Sequence, residues 1–200
     1  MAEEVKRVFA FGKDANGNNV TEGNTSMKFV LGGKGANLAE MANIGLPVPP
    51  GFTISCQTCM EYANAGNVWP EGALDTIHEY RVDLEERMGK KIGDAEDPLL
   101  VSVRSGAPMS MPGMMDTVLN LGLNDQSING LIKQTENPRF AWDSYRRFIQ
   151  MFSNVVMGLD GDLFENAITA MKNVRGVKSD TDLTAEDLQQ LVAEFKQIFS

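Results

Sequence analysis

The order of strand-like and helix-like segments restricts this chain to a narrow set of folds. Short apolar runs, such as residues 8–11 and 99–103, alternate in the first part of the chain with helix-like segments and with glycine- and proline-rich turns. Further along, every apolar pattern has helical spacing, most clearly over residues 139–157. The sequence therefore predicts an α+β protein, in which a mixed α/β lobe (residues 1–122) precedes an all-helical subdomain (residues 123–200).

Charge and composition exclude several classes of protein. The net charge of −9 leaves no basic footprint, which nucleic-acid binding requires, and no apolar run is long enough to cross a membrane. The N-terminus is acidic from its third residue and has no signal-peptide core, and two cysteines do not make a disulfide scaffold. We therefore expect a soluble cytoplasmic protein without nucleic-acid or membrane partners, and an organelle remains open for a eukaryotic source.

The glycine-rich segment Gly32-Gly33-Lys34-Gly35 is the first candidate for ligand binding. It precedes a helix-like run, and a helix start offers unpaired N–H groups and positive potential to a phosphate, while the lysine adds a mobile charge. Its spacing differs from a Walker A loop, which needs Ser or Thr after the lysine, and from the Rossmann glycine pattern. Two interpretations stay open, a phosphate-binding loop and a tight glycine turn with a solvated lysine.

Arginine side chains supply the other candidates for anion binding and for docking. Arg104 ends a buried-strand pattern, at the strand end where α/β folds bind ligands, and its guanidinium fork suits an anion. The alternative is a structural ion pair with the acidic segment 71–97, which carries nine acids and four bases. Arg146 and Arg147 lie on the helix predicted over residues 139–157, where they are either solvated or face a partner domain. Arg147 is therefore a candidate docking residue.

Residues 107–117 form a loop by composition, because they contain four methionines, two prolines and a glycine. Methionine adapts to varied surfaces, so one interpretation is a flexible lid that closes over a ligand. The other is a loop whose methionines plug into the hydrophobic core.

The remaining reactive residues give no catalytic centre. Cys56 and Cys59 form a lone C-x-x-C motif, and a structural zinc site would need two further ligands. His78, the one histidine, lies beside an acid in a helix-like segment, where a surface position is typical. The chain offers no Ser-His-Asp or Cys-His arrangement, so we assign no catalytic residue and no metal ligand to it.

Five ordered segments resemble the dikinases that make phosphoenolpyruvate. They are residues 31–41, 47–53, 97–106, 110–117 and 137–151, and the likeness extends over about residues 25–200. The segment Ser110-Met111-Pro112-Gly113-Met114-Met115-Asp116-Thr117 discriminates within the family. It is similar to the pyruvate, phosphate dikinases rather than to the water-using phosphoenolpyruvate synthases.

The resemblance implies an ATP-grasp nucleotide domain, divided into subdomains, within an enzyme that converts ATP, phosphate and pyruvate to AMP, pyrophosphate and phosphoenolpyruvate. A histidine on a separate swivelling domain would carry the phosphoryl group between two remote sites. Lys34 and Arg104 would bind the ATP phosphates, and the loop that contains Gly113 would close over the β- and γ-phosphates. The ATP-binding and phosphate-binding set implied by the matched motifs is Lys34, Arg104, Gly33, Gly35, Gly113, Met115, Asp116 and Thr117.

Parts of the family's site have no counterpart in these 200 residues. Nothing resembles the setting of the carrier histidine, and the acidic Mg²⁺ ligands of the family are expected beyond Ser200. The last predicted helix has no stop signal before Ser200, so we expect the chain to be truncated and inactive by itself. The complete enzyme is expected to be a homodimer. Two alternatives stay open, a water-using synthase and a non-catalytic fragment of the nucleotide domain.

Overall fold

The computed structural model describes residues 5–106 and 116–199. These residues form a mixed α/β fold of seven α-helices, two short 3₁₀ helices and six short strands, which confirms the predicted mixture. The helices are α1 (Lys28–Asn43), α2 (Cys56–Asn64), α3 (Ala73–Met88), α4 (Ser127–Thr135), α5 (Pro138–Val155), α6 (Gly161–Arg175) and α7 (Ala185–Phe199). The strands are β1 (Val8–Phe11), β2 (Gly51–Ile54), β3 (Lys91–Ile92), β4 (Pro98–Leu99), β5 (Val101–Arg104) and β6 (Thr117–Leu121).

The chain packs as two units. One unit holds the described residues of Met1–Gly89 and Ser105–Met115, and the other holds those of Lys90–Arg104 and Asp116–Ser200. After Leu121 the described chain contains helices and turns but no strand, as the sequence pattern predicts. The division into an α/β lobe of residues 1–122 and a helical subdomain of residues 123–200 stays a prediction.

The first unit is built on an antiparallel ribbon of β1 and β2. Val8 lies opposite Ile54 at one end of the ribbon, and Phe11 lies opposite Gly51 at the other. Helix α1 packs on β1 through Leu31, Ala36 and Ala39, which cluster with Phe9. Two of these three helix residues are alanines, so the helix backbone can approach the strand closely.

The outer edge of β1 is covered by the segment that ends at Glu22. The Glu22 carboxylate accepts a hydrogen bond from the Ala10 N–H at 2.7 Å, and the Glu22 N–H donates to the Ala10 carbonyl at 2.8 Å. The N–H and carbonyl of Gly12 pair with neighbouring residues of the same segment at 3.0 Å. The Tyr80 hydroxyl also donates to the Glu22 carboxylate, so one side chain joins α3 to the ribbon.

The second unit combines four of the short strands with the last four helices. Strands β3 and β4 pair in parallel, and β5 and β6 pair antiparallel with Arg104 opposite Thr117. Helices α4 to α7 share one hydrophobic core, in which the rings of Phe164 and Phe195 meet edge to face with centroids 4.9 Å apart. The apolar face predicted for the last helix is buried at Leu188, Leu191, Val192 and Phe195.

Helix ends follow the signals in the sequence. The Ser55 hydroxyl accepts the Thr58 N–H at the start of α2, and Gly89 ends α3 in the left-handed conformation. At the start of α7, Thr184 and Asp187 exchange hydrogen bonds between their side chains and backbone N–H groups, which confirms the predicted capping box. None of the described helices is long and apolar enough to cross a membrane.

Two predictions about buried segments are wrong. Residues 98–104 are not one buried strand: β4 and β5 are separate, and residues 102–104 are exposed. The two strands also have different partners, since β4 pairs with β3 and β5 pairs with β6. Val155, predicted on the core face of α5, is 37% exposed because it lies in the last turn of that helix.

Candidate phosphate-binding site

Gly32 interrupts helix α1 directly before the candidate phosphate loop. Its φ of 69° and ψ of 169° are non-helical, and this region is essentially restricted to glycine. The apolar residues before it, 29–31, therefore form a separate helical turn, and a second helical segment begins after the kink. The first N–H groups of a helical segment lack partners within that segment. Gly33, Lys34 and Gly35 thus lie where backbone donors and the positive helix end are available to an anion.

Packing against Thr53 accounts for the lack of a side chain at Gly35. A Cβ atom at this position would lie 2.9 Å from Thr53 Cγ2 and 3.0 Å from Thr53 Oγ1, closer than real Cβ atoms approach. Strand β2 therefore presses against α1 at the residue next to Lys34. The sequence pattern predicted glycines near a phosphate, but it did not reveal Thr53 as their packing partner.

Lys34 is held by a backbone carbonyl. Its Nζ donates to the Ser105 carbonyl oxygen at 3.2 Å, so the interpretation of a fully solvated lysine is incomplete. No carboxylate of the described residues pairs with this ammonium group. A lysine whose charge is not neutralised by a neighbouring carboxylate remains available to an anionic ligand.

Arg104 and two other predicted site residues lie together in the second unit. Arg104 is the last residue of β5 and is exposed, and it lies opposite Thr117, the first residue of β6. Asp116 precedes Thr117 and is also exposed. The predicted alternative for Arg104 was an ion pair with residues 71–97. The acids of that segment that form ion pairs do so with Arg81, Arg87, Lys90 and Lys133.

Other predicted positions fall outside the described residues. Gly113 and Met115 belong to this group, as does the predicted lid or plug over residues 107–115. Their assignments stay predictions.

The two neighbouring arginines of α5 have different environments. Arg147 is 61% exposed, and its Nε donates to the Asp143 carboxylate at 3.0 Å. Arg146 is buried, and its guanidinium bonds to Asp143 and Gln150, so the prediction that it is solvated or faces a partner domain is wrong. A buried guanidinium requires such partners, because an unpaired charge in the interior is costly. Arg147 therefore remains the docking candidate.

The two cysteines and the histidine lie on helices α2 and α3. Cys56 and Cys59 are free thiols on α2, and partial burial, followed by the proximity of Cys56, raises the pKa of Cys59. A raised pKa keeps a thiol protonated and weakens it as a nucleophile. His78 is exposed on α3, as predicted for a surface residue.

The described residues do not fit a Mg²⁺ ion. They contain no group of three or more His, Cys, Asp or Glu side chains placed to hold a metal. Hard cations such as Mg²⁺ need oxygen ligands at short distance, and Asp116 alone does not supply a set. We therefore derive no chemical step through a metal held by this chain.

Comparison with known proteins adds independent information. Residues 29–82 match the family described as pyruvate phosphate dikinase, AMP/ATP-binding domain. The pyruvate, phosphate dikinase of Clostridium symbiosum is 58% identical over 178 residues, which cover 89% of this chain and 20% of that protein. The chloroplastic pyruvate, phosphate dikinase 1 of Oryza sativa subsp. japonica is 56% identical over 194 residues, which cover 97% of this chain and 20% of that protein. Pyruvate, phosphate dikinase 2 of Zea mays is 55% identical over the same length, with 21% of that protein covered.

The two kinds of match differ in extent. The family match includes the Gly32 kink, Lys34 and Thr53, whereas the alignments with whole proteins run over most of this chain. The chain spans about a fifth of the length of the curated relatives it matches. With more than half of its residues identical over nearly its whole length, the chain belongs to the pyruvate, phosphate dikinase family.

Proposed function

We propose that this chain binds the phosphates of ATP for a pyruvate, phosphate dikinase. The observation that carries the proposal is the Gly32 kink, which starts a helical segment at Gly33 and places Lys34 in its first turn. Helix N-termini and lysine are common phosphate ligands. The family match to an AMP/ATP-binding domain covers the same residues and supports the assignment.

The complete reaction converts ATP, phosphate and pyruvate to AMP, pyrophosphate and phosphoenolpyruvate. In this proposal the backbone N–H groups of Gly33 and Gly35, together with Lys34 and Arg104, neutralise and orient the ATP phosphates. In this proposal the same site also includes four residues of the segment 107–117: Gly113, Met115, Asp116 and Thr117. Phosphoryl transfer depends mainly on positioning and on charge stabilisation, so such a site needs no nucleophile of its own.

The finer assignments also belong to the proposal. They are an ATP-grasp fold, Mg²⁺ ligands beyond Ser200, a phosphohistidine on a separate carrier domain that Arg147 helps to dock, and a homodimeric cytoplasmic enzyme. Mg²⁺ would supply charge neutralisation at the ATP phosphates. The relatives named above are all pyruvate, phosphate dikinases, which favours phosphate over water as the acceptor.

The decisive experiment separates the two halves of the reaction in the full-length enzyme. Label exchange between AMP and ATP measures the nucleotide half, and exchange between pyruvate and phosphoenolpyruvate measures the other half. Lys34→Ala and Arg104→Ala should each slow the nucleotide exchange by about 100-fold or more, because a lost preorganised charge contact costs roughly 3–4 kcal/mol. The pyruvate exchange should keep its wild-type rate.

Lys28→Ala is the matched control, since Lys28 is an exposed lysine of the same helix. It should leave both exchanges unchanged. Wild-type nucleotide exchange in either test variant would remove that residue from the site, and equal damage to both exchanges would indicate misfolding instead.

A further inference from the structure

A buried guanidinium lies at the end of helix α3. The Arg87 side chain is only 4% exposed, and its Nε lies 2.8 Å from the Asp83 carboxylate one turn earlier. The two terminal nitrogens of the guanidinium bond to residues outside the helix. Nη1 donates to the Phe11 carbonyl at 3.0 Å, and Nη2 donates to the Gly51 carbonyl at 3.3 Å.

These two carbonyls belong to one register pair at the end of the β1–β2 ribbon. Phe11 and Gly51 lie opposite each other, and a Cβ atom on Gly51 would come within 2.4 Å of the Phe11 ring. The ribbon end is therefore tightly packed, and one planar fork satisfies an acceptor on each strand. An ammonium group cannot reproduce that geometry, because its donors radiate from one nitrogen.

The same ribbon carries the residue that presses on the phosphate loop. Thr53 lies two residues beyond Gly51 on β2 and contacts Gly35 so closely that no Cβ fits between them. Gly35 is the neighbour of Lys34, whose Nζ bonds to the Ser105 carbonyl. A shift of β2 relative to β1 would therefore move the backbone of Gly35 and of Lys34, which follows Gly33 in the same helical turn.

We infer that Arg87 is a positioning residue for the phosphate-binding lysine, acting through the β1–β2 ribbon and Thr53. The inference rests on the proposed function of Lys34. Arg87 itself touches no ligand in this arrangement. It holds the end of the ribbon, and the ribbon positions Thr53. Thr53 in turn determines how closely Gly35 and Lys34 approach β2. Displacements of about 1 Å at such a site can lower a rate by about 100-fold.

The experiment compares Arg87→Met and Arg87→Lys with wild type in the full-length enzyme. Arg87→Met should raise the KM for ATP in AMP–ATP exchange by about 10- to 100-fold, while pyruvate–phosphoenolpyruvate exchange keeps its wild-type rate. Arg87→Lys retains the charge and can reach one carbonyl, so it should recover part of the loss. The pyruvate exchange serves as an internal measure of folded enzyme, since partial unfolding lowers both exchanges together.

Arg81→Met is the matched control, because Arg81 lies on the same helix, is 43% exposed and pairs with Glu85 one turn later. If Arg87→Met behaves like Arg81→Met, or if both exchanges fall in equal proportion, the inference is wrong. Lys34→Ala is measured in parallel. If that variant loses nucleotide exchange while Arg87→Met does not, only the role of Arg87 fails; if Lys34→Ala is unaffected, the proposed function fails and the inference falls with it.

Discussion

At the scale of single residues, the contact between Gly35 and Thr53 sets a test of packing. We expect Gly35→Ala to destabilise the chain by about 1–3 kcal/mol, because the new methyl group would overlap the Thr53 side chain and lie 3.3 Å from Leu31 Cβ. Thr53→Ala removes the two atoms that the methyl would approach most closely. The double variant Gly35→Ala/Thr53→Ala should therefore be more stable than the sum of the two single changes predicts. Urea unfolding of each variant measures these free energies.

Gly106→Ala is a suitable control for that series. Its Cβ would meet no atom of the described residues within 4 Å, and its backbone is not in the left-handed region. We expect a change in stability of about 0.5 kcal/mol or less. Strict additivity in the double variant would show that the Gly35 methyl does not meet Thr53.

At the scale of secondary-structure elements, the sequence predicts helix ends better than it predicts long-range contacts. Ser55, Gly89 and Thr184 mark helix ends because capping is local, and the structure places each of them as predicted. The kink at Gly32 escapes the pattern, because the glycines of residues 32–35 predict a loop, whereas the structure continues helix α1 from Lys28 through them with one non-helical residue. Only the backbone conformation reveals it.

The long-range contacts of the candidate site are likewise hard to predict from the sequence. Residue type and resemblance predict Lys34 and Arg104 as phosphate ligands. The Ser105 carbonyl that holds Lys34 lies 71 residues away in the chain, and no local pattern predicts such a pair. In the sequence, Arg87 looks like an ordinary basic residue in the last turn of a helix. In the structure, its guanidinium is buried and bonds to two strand carbonyls. Burial of a charged group is a tertiary property, so the sequence alone does not indicate it.

Helix α7 sets a test of pH dependence. Burial raises the pKa of the Asp187 carboxyl, but hydrogen bonds from the Thr184 N–H and from Arg175 outweigh it, so the pKa lies below its ordinary value. A carboxyl with a depressed pKa in the folded state stabilises the fold above about pH 4. That contribution is lost as the pH falls through the folded-state pKa.

Asp187→Asn should therefore cost roughly 1–2 kcal/mol at pH 7, the usual range for a lost cap. The difference from wild type should shrink as the pH falls below about 4, where the wild-type carboxyl also becomes neutral. Urea unfolding at a series of pH values measures both curves. A difference that stays constant down to pH 2 would show that the charge of Asp187 does not contribute.

At the scale of the whole molecule, the chain spans about a fifth of the length of its relatives, which sets a test of what this part can do by itself. We expect these 200 residues to form no AMP from ATP and to bind ATP only at roughly millimolar concentration, about 4 kcal/mol of binding free energy. The backbone donors, Lys34 and Arg104 remain, but the chain spans about a fifth of its relatives and its one histidine lies exposed on α3. Calorimetry with Mg-ATP, alongside an assay for AMP and pyrophosphate, measures both properties.

Two results would contradict this expectation. One is micromolar ATP binding by the 200-residue chain, and the other is AMP formation in proportion to its concentration. The double variant Lys34→Ala/Arg104→Ala is the control, since any phosphate affinity that depends on the proposed site should disappear in it.

The covered edge of β1 also bears on how concentrated solutions of the protein behave. An open strand edge is a template on which other chains add, and aggregation often begins there. On β1 the outward N–H and carbonyl groups of Ala10 are already bonded to Glu22, and those of Gly12 are bonded to the same segment. Intermolecular strand addition is therefore hindered at these residues, and Glu22→Ala, which frees the Ala10 N–H, should raise the tendency of concentrated protein to aggregate, as light scattering can measure.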